Sequence, residues 1–293
     1  MESEFHLFLP QMRMNFSTIL ERSLSAEQFG FNGVALMDHL APPLAESHDM
    51  YDAMVTAAYI GAHTESLSIS HLVLCDLFRH PTVLAKQSVS LDHATNGRFE
   101  LGIGWGSVPD ELERFGFPVL LPRERVQRLR ETLEVLDLLW KGHPFSFEGD
   151  FFKLSGAMQQ PTPSRDIPLT IGGAGSKTLE LVSEFADWWN CPIYAIDRLE
   201  KLIPRIGNAQ ISTQQMISFV PHESQRDSIT KKTRQRYGNW AEGTGPIVGD
   251  SLELGEYFKK QSDLGVQRFY LWFTDFAQKA TLEAFGSDVL DTN

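Results

Sequence analysis

The chain has 293 residues, of which 42% are hydrophobic and 22% are charged. A chain of this size buries enough apolar surface to fold without disulfide bonds or a structural metal, either as one α/β barrel or as two smaller domains. Its formal net charge of −12 opposes binding to nucleic-acid phosphates and to anionic membrane surfaces, so we expect no nucleic acid and no membrane as partners.

Short apolar or β-branched runs alternate with amphipathic stretches along the chain, a pattern typical of βαβ units. In chain order, strands are predicted at residues 5–9, 33–37, 67–74, 98–103, 167–171, 187–190, 211–220 and 268–273. Helices are predicted at residues 16–29, 51–63, 81–94, 124–140, 176–186, 199–205, 222–236, 252–264 and 280–289. Pro81 stands at the first position of its helix, where proline is favoured.

Eight alternating units predict an α/β protein with a single (β/α)8 TIM barrel over residues 1–293. Residues 142–165 interrupt the alternation before the fifth strand and contain a hairpin-like run at 145–152. We predict that this segment is an insertion over one face of the barrel. A doubly wound open sheet is the competing architecture, because it shows the same alternation.

Other features of the sequence bear on metals and location. Cys75 and Cys191 are far apart, and neither belongs to a CxxC or Cys/His run, which argues against a disulfide framework and against a zinc site. The acidic start, Met1 to Glu4, is unlike the basic start of a secretory signal, and no apolar run approaches roughly 18 residues. We therefore expect no metal and a cytoplasmic protein.

Polar residues that directly follow a strand are the first candidates for a site, because the active sites of such barrels lie at the C-terminal strand ends. Asp38 and His39 follow the second strand, where an imidazole can act as acid, base or hydrogen-bond donor. The alternative is that both residues only make local turn contacts. Arg79, after the third strand, either binds an anion or ties its loop to the scaffold.

Two glycine-rich segments also follow strands, Gly102-Ile103-Gly104-Trp105-Gly106 and Gly172-Gly173-Ala174-Gly175-Ser176. Glycines allow a ligand to approach backbone N–H groups, and the helix that follows the second segment favours a phosphate at its N-terminus. The spacing is neither that of a P-loop nor GxGxxG, and a tight strand-to-helix turn is the alternative. Trp105 is placed to stack on a planar ring, so the segments indicate a flat cofactor with a phosphate.

These motifs, with others, resemble the bacterial luciferase-like oxidoreductases that depend on flavin or deazaflavin and share the (β/α)8 barrel. The resemblance covers nearly the whole chain. It is carried by Asp38-His39, Arg79-His80-Pro81, Leu91-Asp92-His93, the run Asn96 to Gly104, Glu113-Arg114-Phe115-Gly116, Arg125 with Leu129, Phe147-Glu148-Gly149, Ile171-Gly172-Gly173, Trp188-Trp189-Asn190 and Val248-Gly249-Asp250.

The resemblance implies that the ring of FMN or coenzyme F420 lies at the C-terminal mouth of the barrel. It places the cofactor phosphate at the second glycine segment, that is, at Gly172, Gly173, Ala174, Gly175 and Ser176. It also implies a non-proline cis peptide at about Leu72-Val73, which would support the ring together with Trp105. In this reading His39 is the proton donor or acceptor and Asp38 orients it.

Family patterns leave the choice of cofactor open. Bacterial luciferases use an arginine after strand four to hold the FMN phosphate, and this chain has Trp105 there. The deazaflavin branch has a histidine after strand two that faces the ring, which His39 matches. The sugar-phosphate dehydrogenases of that branch add a tryptophan and a glutamate at the places of Pro43 and Ser107, which argues against sugar-phosphate oxidation here.

We therefore expect an oxidoreductase that acts on a small organic substrate by hydride transfer with coenzyme F420 or FMN. One alternative is a monooxygenase that uses O2 and takes reduced FMN as a co-substrate. Another is a flavin-binding carrier or sensor without turnover. The family resemblance further implies a homodimer and, where reduced flavin is taken up, a separate flavin reductase as partner.

Overall fold

The chain forms a barrel of parallel strands surrounded by helices. The structure, a computed structural model, describes residues 3–43, 47–106, 108–238 and 245–291. Its strands are β1 (Glu4–Phe8), β2 (Gly33–Leu36), β3 (Ser68–His71), β4 (Leu74–Cys75), β5 (Leu101–Gly104), β6 (Phe145–Glu148), β7 (Lys153–Ala157), β8 (Leu169–Gly172), β9 (Trp188–Cys191), β10 (Gln210–Phe219), β11 (Ile247–Gly249) and β12 (Val266–Phe273). Its helices are α1 (Phe16–Gln28), α2 (Ala53–Gly61), α3 (Pro81–Ala94), α4 (Pro109–Arg114), α5 (Pro122–Trp140), α6 (Ser176–Phe185), α7 (Leu199–Leu202), α8 (Arg226–Tyr237), α9 (Ser251–Asp263) and α10 (Lys279–Phe285).

The strands follow one another around the barrel in the order β3, β2, β1, β12, β10, β9, β8, β5, β4, while β11 pairs with the end of β10. β3 and β4 are two parts of one barrel strand. β3 pairs with β2, β4 pairs with β5, and a bridge from Ile69 to Phe99 joins β3 to the residues before β5. Within the described residues the barrel thus has eight strands, which confirms the (β/α)8 prediction and excludes an open doubly wound sheet.

Outward-facing strand side chains pack against the helices and form the main core. Buried members of this layer include Leu7, Val34, Ile69, Leu101 and Trp189. Side-chain caps start several helices: Asn15 accepts the N–H of Thr18 before α1, Asp52 that of Val55 before α2, and Asp250 that of Leu252 before α9. The helix positions predicted from the sequence periodicity follow from these caps and apolar faces.

The interior of the barrel, in contrast, is polar at its lower end. Arg268 is buried, donates to both carboxylate oxygens of Glu100 at 2.5 and 3.3 Å, and donates to Glu4 at 2.6 Å. Its guanidinium also lies 3.9 Å from the centre of the Trp188 ring. Paired charges can be buried in this way because each satisfies the other. This layer fills the barrel below the cavity described in the next subsection.

Residues 142–165 contain the predicted hairpin, in which β6 and β7 pair antiparallel. The segment lies along α3 and α5: Lys86 donates to the Gln160 carbonyl at 2.6 Å, and His93 donates to the Thr162 carbonyl at 2.9 Å. None of its residues lines the cavity at the C-terminal strand ends. The insertion therefore covers the outside of two helices and not the C-terminal ends of the barrel strands.

Glu131 on α5 fixes the turn of this hairpin. Its buried carboxylate accepts the backbone N–H groups of Asp150 (2.9 Å), Phe151 (2.9 Å) and Phe152 (3.1 Å). Glu131→Gln keeps the size and shape of the side chain but replaces one carboxylate oxygen by an NH2 group, which cannot accept from these N–H groups. The substitution is expected to lower the free energy of unfolding by about 2 kcal/mol. Urea unfolding monitored by circular dichroism measures this change.

The matched control is Glu134→Gln on the same helix. Glu134 is partly exposed, and its ion pair with Arg130 spans 3.9 Å. The control is expected to change the free energy of unfolding by less than about 0.5 kcal/mol. Equal effects of the two substitutions would contradict the role given to Glu131.

Candidate active site

A cavity of about 270 Å³ lies at the C-terminal ends of the strands. We call it the mouth. Parallel strands end on the same side of a barrel, so residues distant in sequence meet there. Its polar lining includes Asp38, His39, Glu111, Asn190 and Gln214. Of the residues predicted to form the site, Asp38, His39, Leu72, Val73, Trp105, Gly172 and Gly173 line the mouth; Ala174, Gly175 and Ser176 continue the segment beyond it.

His39 is held by a carboxylate that the sequence did not suggest. Its Nδ1 lies 2.8 Å from Oε2 of Glu111, whose Oε1 accepts the backbone N–H groups of Leu40 (2.6 Å) and Ala41 (3.2 Å). Burial alone would raise the pKa of the Glu111 carboxyl, but the hydrogen bonds from His39 and these amides outweigh it and hold that pKa below its usual value. An ionised carboxylate only accepts, so Nδ1 carries a proton, and in the neutral form of the ring Nε2 is then the acceptor.

The structure corrects the role predicted for Asp38. Its Oδ2 accepts the backbone N–H of Cys75 at 2.8 Å and one Arg79 nitrogen at 2.5 Å, and its Oδ1 accepts the other Arg79 nitrogen at 3.0 Å. Both oxygens are therefore used to join the end of β2 to β4 and the loop after it. The orienting contact to His39 comes from Glu111, and the contacts of Arg79 are those of a residue that ties its loop to the scaffold.

The peptide bond between Leu72 and Val73 is cis, as the family resemblance implies. The irregular backbone between β3 and β4 is matched by glycines on β5. A Cβ on Gly102 would lie 1.8 Å from the backbone oxygen of His71, and a Cβ on Gly104 would lie 2.8 Å from Val73 Cγ2. The packing of the barrel itself therefore requires glycine at both positions. No bound ligand is needed to explain the glycines of the first segment.

Trp105 lies between the mouth and a buried cation. Its Nε1 donates to Thr178 Oγ1 at 3.2 Å, and the Arg125 guanidinium is 4.8 Å from its ring centre. Arg125 is only 5% exposed, and NH1 donates to the Gly106 carbonyl at 2.9 Å. Among the described residues it forms no ion pair with a carboxylate, and its Nε has no partner. A buried cation without a counter-ion is costly, so this position favours an anion nearby.

The second glycine segment leads from β8 into α6. Gly173 has a φ of +135°, and a Cβ there would lie 3.0 Å from Thr178 Cγ2. Gly175 is the N-cap of α6 and has no side chain to cap the helix. The backbone N–H groups of the first helical turn therefore donate to no side chain of the N-cap residue. Thr178, in that turn, also accepts the hydrogen bond from Trp105, which places the segment beside Trp105, the ring on which Arg125 lies.

A family model described as luciferase-like monooxygenase matches residues 3–214. The chain belongs to this family. A solved structure described as an F420-dependent secondary alcohol dehydrogenase in complex with an F420-acetone adduct covers 100% of both chains with a TM-score of 0.87 and 19% identity. The monooxygenase RslO1 of Streptomyces bottropensis covers 99% of both chains with a TM-score of 0.82 and 17% identity. At these identities the likeness shows the shared fold.

Curated relatives are more similar in sequence. The F420-dependent glucose-6-phosphate dehydrogenase of Microbacterium testaceum is 31% identical over 193 residues, which cover 65% of this chain and 57% of that protein. The F420-dependent hydroxymycolic acid dehydrogenase of Mycobacterium tuberculosis is 31% identical over 176 residues, covering 58% of this chain and 48% of that protein. The chain thus matches about half the length of these luciferase-like relatives.

Sequence reasoning missed Glu111 and gave Arg125 no role of its own. Glu111 lies on α4, a short helix that was not predicted, although Pro109 followed by Asp110 and Glu111 is a pattern typical of a helix start. Arg125 was noted only as part of the family pattern. Ser107, the position at which the sugar-phosphate branch of the family has a glutamate, lies outside the described residues.

Other candidate chemistries are weaker at this site. Cys75 lines the mouth, but burial raises the pKa of its thiol to about 12, so it is protonated and a poor nucleophile. In the part of the chain that the structure describes, no three His, Cys, Asp or Glu side chains come together to hold a metal ion. No described helix is long and apolar enough to cross a membrane.

Proposed function

We propose that the protein is an F420-dependent oxidoreductase that transfers a hydride between the deazaflavin and a small organic alcohol or carbonyl compound. The observation that carries the proposal is His39, fixed at Nδ1 by Glu111 and lining the mouth of a luciferase-like barrel. The names of the curated relatives, which include two kinds of F420-dependent dehydrogenase, support the choice of F420.

Oxidation of an alcohol to a carbonyl compound removes a hydride from carbon and a proton from oxygen. Coenzyme F420, when bound, supplies the hydride acceptor. His39 Nε2 takes the proton, and the ionised Glu111 stabilises the imidazolium that results. In the reverse direction the same imidazolium returns the proton to the carbonyl oxygen. The aromatic and aliphatic walls of the mouth exclude water from the reacting atoms.

The residues of the mouth fit a cofactor with a phosphate. We assign the phosphate to Gly172, Gly173, Ala174, Gly175 and Ser176, because the first turn of α6 has no side-chain cap and Gly173 leaves room for close approach. Arg125 supplies a positive charge next to this segment, where it has no carboxylate partner of its own. We assign the support of the ring to Leu72, Val73 and Trp105.

The test is a parallel titration of the purified protein with F420, FMN and reduced FMN, followed by cofactor fluorescence. Tight binding of F420 with turnover of an alcohol or carbonyl compound supports the proposal. Preference for reduced FMN with consumption of O2 would instead support a monooxygenase served by a separate flavin reductase. Retention of a cofactor without turnover would support a carrier or sensor, and binding of none of the three would contradict the proposal.

We further propose a homodimer formed through α2 and α3. α2 has no charged side chain yet exposes Val55 (61%) and Tyr59 (37%), and it packs against α3, which exposes Val83 (51%). No charged side chain on α2 itself opposes contact between two copies of this acidic chain. Val55→Glu is therefore expected to convert the dimer to a monomer in size-exclusion chromatography with light scattering.

Leu252→Glu is the matched control for the dimer. Leu252 is more exposed than Val55, at 77%, but lies on α9. It is expected to leave the dimer intact. A wild-type monomer, or dissociation caused by Leu252→Glu alone, would overturn the assignment to α2 and α3.

A further inference from the structure

We propose that the mouth takes an uncharged, largely apolar alcohol or carbonyl compound, hydrogen-bonded by Gln214, and that it rejects phosphorylated sugars. This inference rests on the proposed function, since it concerns the substrate of the same site. The proposed substrate differs from that of several curated relatives, whose names specify glucose 6-phosphate.

The strand order divides the mouth into two sectors. The residues assigned to the cofactor follow the contiguous strands β3, β4, β5 and β8, and are Leu72, Val73, Trp105, Gly172 and Gly173. The rest of the circumference, strands β9, β10, β12, β1 and β2, contributes Asn190, Gln214, Trp272, Phe8 and Met37. We call these five residues the substrate sector. His39 follows β2, next to β3, and so lies where the two sectors meet.

The substrate sector contains no charged side chain. Among the described residues that line the whole mouth there is no lysine or arginine, and its carboxylates are those of Asp38 and Glu111. The stretches outside the described residues contain no lysine or arginine in their sequence either. A substrate phosphate would therefore lose water without gaining a counter-ion, and the ionised Glu111 would repel it.

Three arginines near the mouth are already engaged. Arg79 is bound by Asp38, and Arg125 lies behind Trp105 on the cofactor side. Arg236 donates a hydrogen bond to the Thr274 carbonyl. It is next to Tyr237, whose ring meets the Trp272 ring edge-on with the ring centres 6.2 Å apart. None of the three lines the mouth, so none is available to a substrate phosphate in the substrate sector.

The apolar wall of the sector suits a hydrocarbon body. Phe8 and Trp272 meet edge-on with ring centres 5.6 Å apart, and Phe8 also belongs to a cluster with Met37 and Leu72. The faces of packed aromatic rings bind apolar groups, while the indole N–H of Trp272 in this wall has no hydrogen-bond partner among the described residues. The substrate therefore needs apolar surface opposite this wall.

Gln214 supplies the hydrogen bond that places the polar end of the substrate. Its half-buried carboxamide lines the mouth, and no hydrogen bond from it to another described residue is formed, whereas Asn190 donates to Ser212 Oγ at 3.3 Å. A carboxamide donates to a carbonyl and both donates to and accepts from a hydroxyl. It can therefore bind an uncharged oxygen, and it carries no charge with which to neutralise a phosphate dianion.

The experiment measures binding and turnover on the F420-loaded protein. Cyclohexanol, 2-octanol and glucose 6-phosphate are the probes; binding is followed by ligand-observed NMR and turnover by the loss of oxidised F420 absorbance. At least one alcohol is expected to bind and be oxidised, and glucose 6-phosphate is expected to do neither. Gln214→Leu is expected to raise the KM for that alcohol about tenfold, the effect of losing one hydrogen bond, with an unchanged Kd for F420.

Gln210→Leu is the matched control, because it makes the same change at the exposed first residue of the same strand. It is expected to leave KM and F420 affinity unchanged. Binding or oxidation of glucose 6-phosphate, failure of both alcohols to bind, or an unchanged KM in Gln214→Leu would each overturn the inference. The F420 titration of the wild-type protein is a separate measurement. Failure to bind F420 contradicts the proposed function, whereas F420 binding with a substrate preference other than the one proposed contradicts only this inference.

Discussion

His39→Ala is expected to lower kcat by about 10² to 10⁴-fold, the usual contribution of a positioned acid–base group. The substitution removes the only described imidazole that lines the mouth. It leaves the ionised Glu111 carboxylate accepting the N–H groups of Leu40 and Ala41, so the loop keeps two of its three contacts. The free energy of unfolding is therefore expected to change by less than about 1 kcal/mol. Steady-state kinetics on a verified substrate and urea unfolding measure the two quantities.

Two further variants show whether His39 acts in chemistry or only in structure. Glu111→Gln keeps a hydrogen-bonding group beside Nδ1 but removes the charge that stabilises the imidazolium, so kcat is expected to fall about tenfold and its pH profile to shift. His143→Ala, in the exposed turn before β6, is the control and is expected to keep full turnover. Unchanged kcat in His39→Ala would remove its assigned role.

Arg125→Met is expected to raise the Kd for the phosphate-bearing cofactor by about 10 to 100-fold, the range for one charge-assisted hydrogen bond. The protein without cofactor is expected to be as stable as the wild type or more stable, because the substitution removes a buried cation that has no carboxylate partner among the described residues. Cofactor fluorescence titration and urea unfolding test both halves. A loss of stability with unchanged affinity would show that Arg125 acts only in the fold.

Gly173→Val tests the other side of the same phosphate site. A side chain at φ +135° and 3.0 Å from Thr178 is strained and obstructs the approach to the α6 N-terminus, so cofactor affinity is expected to fall at least tenfold. Gly156→Val is the control, since Gly156 also has a positive φ of +59° but lies in the hairpin with nothing within 4 Å of its Cβ. The control is expected to bind the cofactor normally. Equal titrations of both variants and the wild type would contradict the phosphate assignment.

Much of the fold was readable from local pattern. Each of the eight predicted strands corresponds to a strand of the barrel, because buried parallel strands are short apolar runs between amphipathic helices. The third strand differs: predicted as one run, 67–74, it is split into β3 and β4 at the cis peptide between Leu72 and Val73. The α4 helix was missed because six residues with a single buried apolar side chain, Leu112, show no helical period.

The sequence by itself determined the barrel, and it predicted several residues that line the mouth, including His39, Trp105 and Gly172, since these features follow from residues next to each other in the chain. Only the tertiary structure decided which side chains are partners. Glu111 reaches His39 across 72 residues, Arg79 binds Asp38 across 41, and Arg125 on α5 stacks on Trp105, which follows β5. Such pairs form because the fold brings the ends of different strands together at the mouth. The periodicity of the sequence carries no information on which distant residues meet there.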